Sequence, residues 1–239
     1  MKITFKLILF ALVLTFTSCI KEEFGPGDVT AVNRIGIGYF DKLKVEDGFQ
    51  VEVVRGSHIE VVVEAPDGYQ DNIHTDINGV GELCIFLDNA IMPQYVKHKR
   101  VLITMPLLRS ITAWGGSEVY TTGIFNPSKF KIDADGGSYV ETNIATDELS
   151  VIASAGSDVK PYGEAGILYV EELSGNSKLY GFRLLTSHSD LNLKGGSEAQ
   201  VTAVNKLVVT ASEASIVKYA GHPNIVHSLT GGSQLIDAN

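Results

Sequence analysis

Trp114-Gly115-Gly116-Ser117 returns, varied, as Asp135-Gly136-Gly137-Ser138, Ala155-Gly156-Ser157, Gly175-Asn176-Ser177, Gly195-Gly196-Ser197, Ser212-Glu213-Ala214-Ser215 and Gly231-Gly232-Ser233. The closing serines 117, 138, 157, 177, 197, 215 and 233 fall 18 to 21 residues apart. A fixed period of this size marks a solenoid or an array. It is too short for a helix pair or a propeller blade, which needs about 40 residues.

Aligned on those serines, the residues around them sort into columns. Two positions after the serine stand Val119, Val140, Val159, Leu179, Ala199, Val217 and Leu235, all apolar. Four positions before it stand Ala113, Ala134, Ala153, Leu173, Leu193, Ala211 and Leu229. Six before come Ile111, Ile132, Val151, Leu191 and Val209, with Glu171 and His227 as exceptions. Apolar sites two residues apart turn one strand face inward, and the residues between them face solvent. Trp114, Asp133 and Asp135 are then outward. The pattern predicts an all-β chain, a right-handed parallel β-helix (β-solenoid) whose coils stack at about 4.8 Å, giving a rod of roughly 34 Å for seven coils. Glycine accepts positive φ at the recurring turn, and the serine hydroxyl can bond neighbouring backbone. The seven serines read as turn structure. A second corner is expected at Gly123, Gly163 and Gly221, each six residues past its serine.

Residues 34–110 also alternate, in Phe40–Val54, Ile59–Glu64, Leu83–Asp88 and Val101–Met105, but out of phase with the serines. They are expected to form irregular early coils or a β-rich N-terminal cap, because an open solenoid end exposes unpaired strand edges. No linker separates them from the regular coils of 111–239, so 34–239 reads as a single domain.

The columns, together with Phe40-Asp41-Lys42-Leu43-Lys44-Val45, Ile103-Thr104-Met105-Pro106-Leu107-Leu108 and Tyr219-Ala220-Gly221-His222-Pro223, resemble the putative auto-transporter adhesin, head GIN domain family, common in lipoproteins of Bacteroidota. The resemblance spans roughly 34–235. It implies a fold similar to right-handed parallel β-helices and supplies no catalytic residues. Ser212–Ser215 and Gly175-Asn176-Ser177 depart from the family's Gly-Ser-Gly phrase.

The N-terminus carries Lys2 and Lys6, an apolar run Leu7–Phe16, then Phe16-Thr17-Ser18-Cys19. About ten apolar residues suit a secretory signal (1–18) and are too few for a permanent span, which takes about 20. The four residues up to Cys19 resemble a lipobox, which implies that Cys19 is lipidated and becomes the first mature residue. Lys21-Glu22-Glu23 resembles the surface-export signal of such lipoproteins. The expectation is an outer-membrane protein, lipid-anchored and facing outward, with periplasm-facing attachment as the alternative. Residues 19–33, with Gly25-Pro26-Gly27, read as a flexible tether.

With 19 Lys+Arg against 28 Asp+Glu, the chain is unsuited to nucleic acid or to adhering to anionic lipid by charge. Apart from Cys19 the only cysteine is Cys84, so the mature chain has no intramolecular disulfide. Within Leu83-Cys84-Ile85-Phe86-Leu87 it reads as a buried, inert thiol.

Parallel β-helices include polysaccharide lyases and hydrolases. Asp133 and Asp135 share an outward face at about 7 Å, but their lateral neighbours Thr112, Trp114, Ile152 and Ser154 offer no third carboxylate or base. His222 and His227 lack zinc-site spacing, and no Gly-x-Ser-x-Gly elbow is present. No catalytic residue, metal ligand or cofactor site is expected. Trp114 beside Asp133 and Asp135 is the candidate binding patch, since an exposed aromatic can stack on a sugar ring. The function expected is a non-catalytic binding scaffold for a glycan or extracellular protein. A polysaccharide-active enzyme and a structural envelope protein are the alternatives.

Overall fold

A computed structural model describes residues 27–239. The expected signal, Cys19 and most of the expected tether lie outside the described residues.

The chain is a parallel β-solenoid. Strands leading into the serine turns stack into one sheet: Ser110–Ala113, Lys129–Ala134, the second halves of Tyr139–Ala153, Asp158–Leu173, Lys178–Leu193 and Glu198–Ala211, then Asn224–Leu229. Strands leaving the turns form the second sheet: Glu118–Thr122, the first halves of the same four long strands, Ile216–Ala220 and Gln234–Asp237. Each long strand runs down the second sheet and bends across into the first.

Register follows the columns read from sequence. Val119 pairs with Val140, Val140 with Val159, Val159 with Leu179, and the series continues through Ala199 and Val217 to Leu235. Ala113, Ala134 and Ala153 stack likewise. The residues of both columns up to Val217 are buried at 0–1 % exposure, because small side chains fill a narrow interior on every coil. Glu171 is explained by a bulge. Val151 pairs with Val170 and Ile152 with Glu172, so Glu171 is an extra, outward residue and Val170 takes the inward site. His227 pairs with Val209 on the last lead-in strand and is exposed, with no further coil over it among the described residues.

Both central residues of each turn have positive φ, as in Gly136 (67°) and Gly137 (75°). A two-residue reversal of this kind favours glycine, asparagine or aspartate. Gly163, at the opposite corner, is required more strictly. Its φ is +107° and an added Cβ would lie 2.1 Å from the Ile144 carbonyl oxygen.

The N-terminal part contains a coil the serine phase does not reveal. Lys42–Val45 and Gln50–Arg55 stack in parallel on Ser110–Ala113 and Glu118–Thr122. Glu118 N–H donates to the Phe49 carbonyl at 2.8 Å as Tyr139 N–H donates to that of Ser117 at 2.9 Å, so fully buried Phe49 occupies the serine position. On its other side lie Glu82–Leu87 and Arg100–Met105, joined by the excursion 88–99 in place of a tight turn. The first coil in sequence is therefore second in space. Antiparallel strands then close the end: Ile73–Ile77 on Glu82–Leu87, and Glu60–Pro66 on Arg100–Met105 with Val29–Asn33 beyond it.

Cys84 departs from the sequence reading. The core residues of its strand are Leu83, Ile85 and Leu87, and Cys84 points to the outer face, half-buried. Burial, then the neighbouring Glu82 carboxylate, pushes its thiol pKa up and keeps it protonated.

Candidate functional site: an aromatic groove on the second sheet

The serine hydroxyls are tied into the turn ridge. Ser117 Oγ–H donates to the Trp114 carbonyl at 2.7 Å and accepts from Gly48 N–H at 3.1 Å. Ser138 N–H donates to Ser157 Oγ at 3.2 Å, and Ser157 N–H to Ser177 Oγ at 3.1 Å. Ser197 and Ser215 donate back to Lys194 and Ser212, and Ser233 accepts from Ser215. Six of the seven are buried, and Ser233 on the last coil is half-buried.

Trp114, Asp133 and Asp135 lie together on the outer face of the first sheet. Trp114 Nε1–H points to Asp133 Oδ1 at 3.4 Å, and Asp135 accepts from Ser154 Oγ. The indole face is already occupied, with Lys44 Nζ 4.5 Å from the ring centroid. No second ring stands beside it in register, where the neighbours are Asp135 and Val45's strand. Among the described residues no group of three His, Cys, Asp or Glu side chains is disposed to hold a metal.

The second sheet carries a denser arrangement. A groove of about 450 Å³ is lined by Tyr139, Asp158, Lys160, Tyr180, Phe182, Arg183 and Gln200. Its walls come from the alternation that builds the core: with Val140, Val159, Leu179 and Ala199 inward, the residues on either side of them must face out. Its far wall is an irregularity. Gly181 pairs with Val201 and Leu185 with Thr202, so Phe182, Arg183 and Leu184 have no partners on that side. Phe182 faces out by the same alternation as Tyr180, at 37 % exposure, and Leu184 returns to the core at 1 %, so Arg183 is the extra outward residue. Bulges commonly re-aim side chains in this way. A Cβ on Gly181 would lie 2.6 Å from the Gln200 carbonyl oxygen, so the strand approaches its neighbour closely where the bulge begins.

The groove's polar groups are unevenly matched. Tyr139 O–H donates to Glu141 at 2.7 Å, and Lys160 Nζ reaches the same carboxylate at 3.1 Å. The Tyr139 hydrogen bond, then Lys160, holds the Glu141 carboxyl below its usual range. Burial and the bond to Glu141 push the Tyr139 hydroxyl up, so it stays a donor. Tyr120, 5.4 Å from Tyr139 between ring centroids, is raised to about 12 by burial and by Glu118. Asp158 is pushed up by burial, countered by Lys178. Arg183 differs from the rest. Its guanidinium sits 4.9 Å from the Tyr162 ring centroid, and among the described residues no carboxylate lies within ion-pair distance of it. Sequence reasoning missed this groove because Arg183 falls outside the repeat. The signal available was coil length: 20 residues from Ser177 to Ser197 against 18 from Ser197 to Ser215.

Comparison with solved structures places the whole rod in a known architecture. A "putative adhesin" from Bacteroides fragilis NCTC 9343 superposes with a TM-score of 0.78 at 17% identity, covering 88% of this chain and 96% of that one. A "putative lipid binding protein" from Parabacteroides distasonis ATCC 8503 gives 0.71 at 15% identity, over 90% and 99%. A "putative adhesin" from Parabacteroides merdae ATCC 43184 gives 0.66 at 14% identity, over 90% and 98%. At these identities the likeness is one of fold. No curated protein matches the chain. The family model described as "Putative auto-transporter adhesin, head GIN domain" matches residues 39–223, from the residue before Phe40 to the Gly221 corner and Pro223. The chain belongs to that family.

Proposed function

We propose that this protein is a non-catalytic, lipid-anchored surface protein of the outer membrane that acts as an adhesin-like binding scaffold, with the groove at Tyr139, Tyr180 and Phe182 as its contact site. The groove carries the proposal: aromatic rings and hydrogen-bonding groups converge on a rigid sheet face, an arrangement suited to holding a ligand. The groups in it are poorly suited to bond breaking. Tyr139 and Lys160 are both spent on Glu141, and Asp158 has Tyr139 and Lys178 as its lateral neighbours. Family membership and the "putative adhesin" neighbours support the same reading. The lipobox-like Phe16–Cys19 and Lys21-Glu22-Glu23 supply the anchor and the outward address. The ligand class is a glycan or an extracellular protein.

Protease shaving of intact cells tests the display. Loss of the protein is expected, and its survival in unlysed cells would overturn the surface assignment. Glycan arrays and panels of purified extracellular proteins test the binding. Silence on both would overturn the scaffold reading.

One observation favours a second role in envelope assembly. Asn224–Leu229 and Gln234–Asp237 each pair on one side only within the described residues, with Val226 59 % and Ile236 37 % exposed. Unpaired edges of this kind accept another strand. In-cell crosslinking that captures a single dominant protein partner through this end would favour it.

A further inference from the structure

We infer that the groove takes an acidic saccharide, its carboxylate held by Arg183 and its pyranose ring stacked on Phe182 and Tyr180. The inference rests on the binding-scaffold reading and narrows it. A sugar offers one face of C–H groups and an equator of hydroxyls. Apolar ring faces with hydrogen-bonding groups around them match that distribution. Here the rings are Tyr180 and Phe182, and the surrounding groups are Asp158 and Gln200. A lipid chain would call for an enclosed apolar cavity, whereas this groove is open and edged by charge.

Arg183 decides the ligand's sign. Lys160 is neutralised by Glu141 and Asp158 faces Lys178 on the next coil, whereas Arg183 rests on the Tyr162 ring and, among the described residues, feels Glu141 at a distance without forming an ion pair. A guanidinium has a planar fork of donors that fits a carboxylate with two parallel bonds. Phe182 faces out by alternation and the bulge turns Arg183 out beside it, so stacking platform and fork are presented by adjacent residues. The chain's overall negative charge, −9, disfavours long-range attraction of polyanions. Recognition of an acidic sugar must then be local and geometric, and Arg183→Lys should not replace it.

The experiment uses isothermal titration calorimetry on residues 19–239 with Cys19 replaced by serine to avoid lipidation. The probes are a glucuronic-acid-containing oligosaccharide and the same oligosaccharide with its carboxyl groups reduced to alcohols. Wild type is expected to bind the acidic form about tenfold or more tightly than the reduced one, the size of one charge-assisted contact. Arg183→Ala and Arg183→Lys should bring the two forms to equal affinity, and Phe182→Ala should weaken both. Both positions are exposed, and an unchanged β-sheet circular dichroism spectrum checks the fold. Equal affinity of wild type for the two forms, or indifference to Arg183→Ala, would overturn the acidic assignment while leaving a sugar-binding scaffold standing. Failure of folded wild type to bind either probe would overturn the saccharide assignment. In that case binding to an extracellular protein, or to an acidic peptide included as a third probe, would preserve the scaffold reading, and silence throughout would end both.

Discussion

In the coils from Ser110 to Asp237 every strand pairing is parallel and the recurring turn closes on a serine, whereas the end built from Val29 to Met105 mixes parallel and antiparallel pairs and its Asp47-Gly48 reversal closes on Phe49. The two regions nevertheless share one interior. Val101, Val51 and Val119 stand in line, and Ile85, Val45 and Ala113 do the same on the other sheet. What persists is the inward column and the positive-φ reversal, seen at Asp47 (62°) and Gly48 (69°) as at Gly136 and Gly137. The serine is one way to fill the position between them, and a phenylalanine is another. The difference also reflects what each region must do. A middle coil is covered by its neighbours, but the first must be sealed, and strands run backwards at the end leave less edge to invite another chain.

The sharpest way to break this comparison is Phe49→Ala. If Phe49 fills the serine position with bulk, its removal leaves a cavity and costs about 3–5 kcal/mol, read from urea denaturation. A loss under about 1 kcal/mol would mean the cap coil is not packed as described.

Next is Ser117→Ala at the junction of the regions. It removes a donor to Trp114 and strands the Gly48 N–H, for an expected loss of about 1–3 kcal/mol. Phe49→Ala should exceed it, because volume and not hydrogen bonding sustains the cap coil.

Ala214→Gly should work in the opposite direction. Glu213 and Ala214 both hold φ near +60° (57° and 59°) where other turns use glycine. Relieving one such residue is worth about 1 kcal/mol, seen as a higher thermal midpoint. No rise would mean the turn is not strained.

The smallest effect concerns acid. Glu141, Glu172 and Glu198 in the regular coils are held below their usual range by hydrogen bonds, from Tyr139, Ser174 and Lys218 first. A carboxylate with a depressed folded pKa stabilises the fold above its unfolded value, near 4.5, and that contribution is lost as pH falls through the folded pKa. Hydrogen-exchange protection, taken against the intrinsic rate at each pH, should therefore fall in the coils around Glu141 before it falls around Val51, and Glu141→Gln should reduce that sensitivity. Equal sensitivity in both regions would argue against it.

How much of this was legible in the sequence divides along the same line. The columns through Val119 and Ala113 were readable because one residue type recurs at one spacing, and small side chains repeat where the interior is narrow. The Glu171 exception was legible as an anomaly, though its cause, a bulge, depends on the neighbouring coil. The coil 42–55 was hidden because Phe49 replaces the serine that sets the phase. Its position between 82–105 and 110–122 is a long-range pairing that no local pattern encodes. The outward pointing of Trp114 followed from alternation, but Lys44 over its ring did not, since Lys44 belongs to that hidden coil. The groove depends on Arg183, which falls out of phase and so lies outside the recurring columns.

The most direct test of the stacked register is a pair of spin labels on one outward row of the second sheet, at Glu118→Cys and Ile216→Cys, in a background with Cys84 and Cys19 both replaced by serine. Register runs from Glu118 through Tyr139, Asp158, Lys178 and Glu198 to Ile216. Five strand spacings predict a backbone separation of about 24 Å, and moving the second label back to Glu198 should shorten it by about 4.8 Å. A narrow distribution that shrinks by that step supports the stack. A separation that does not change with coil number would contradict it.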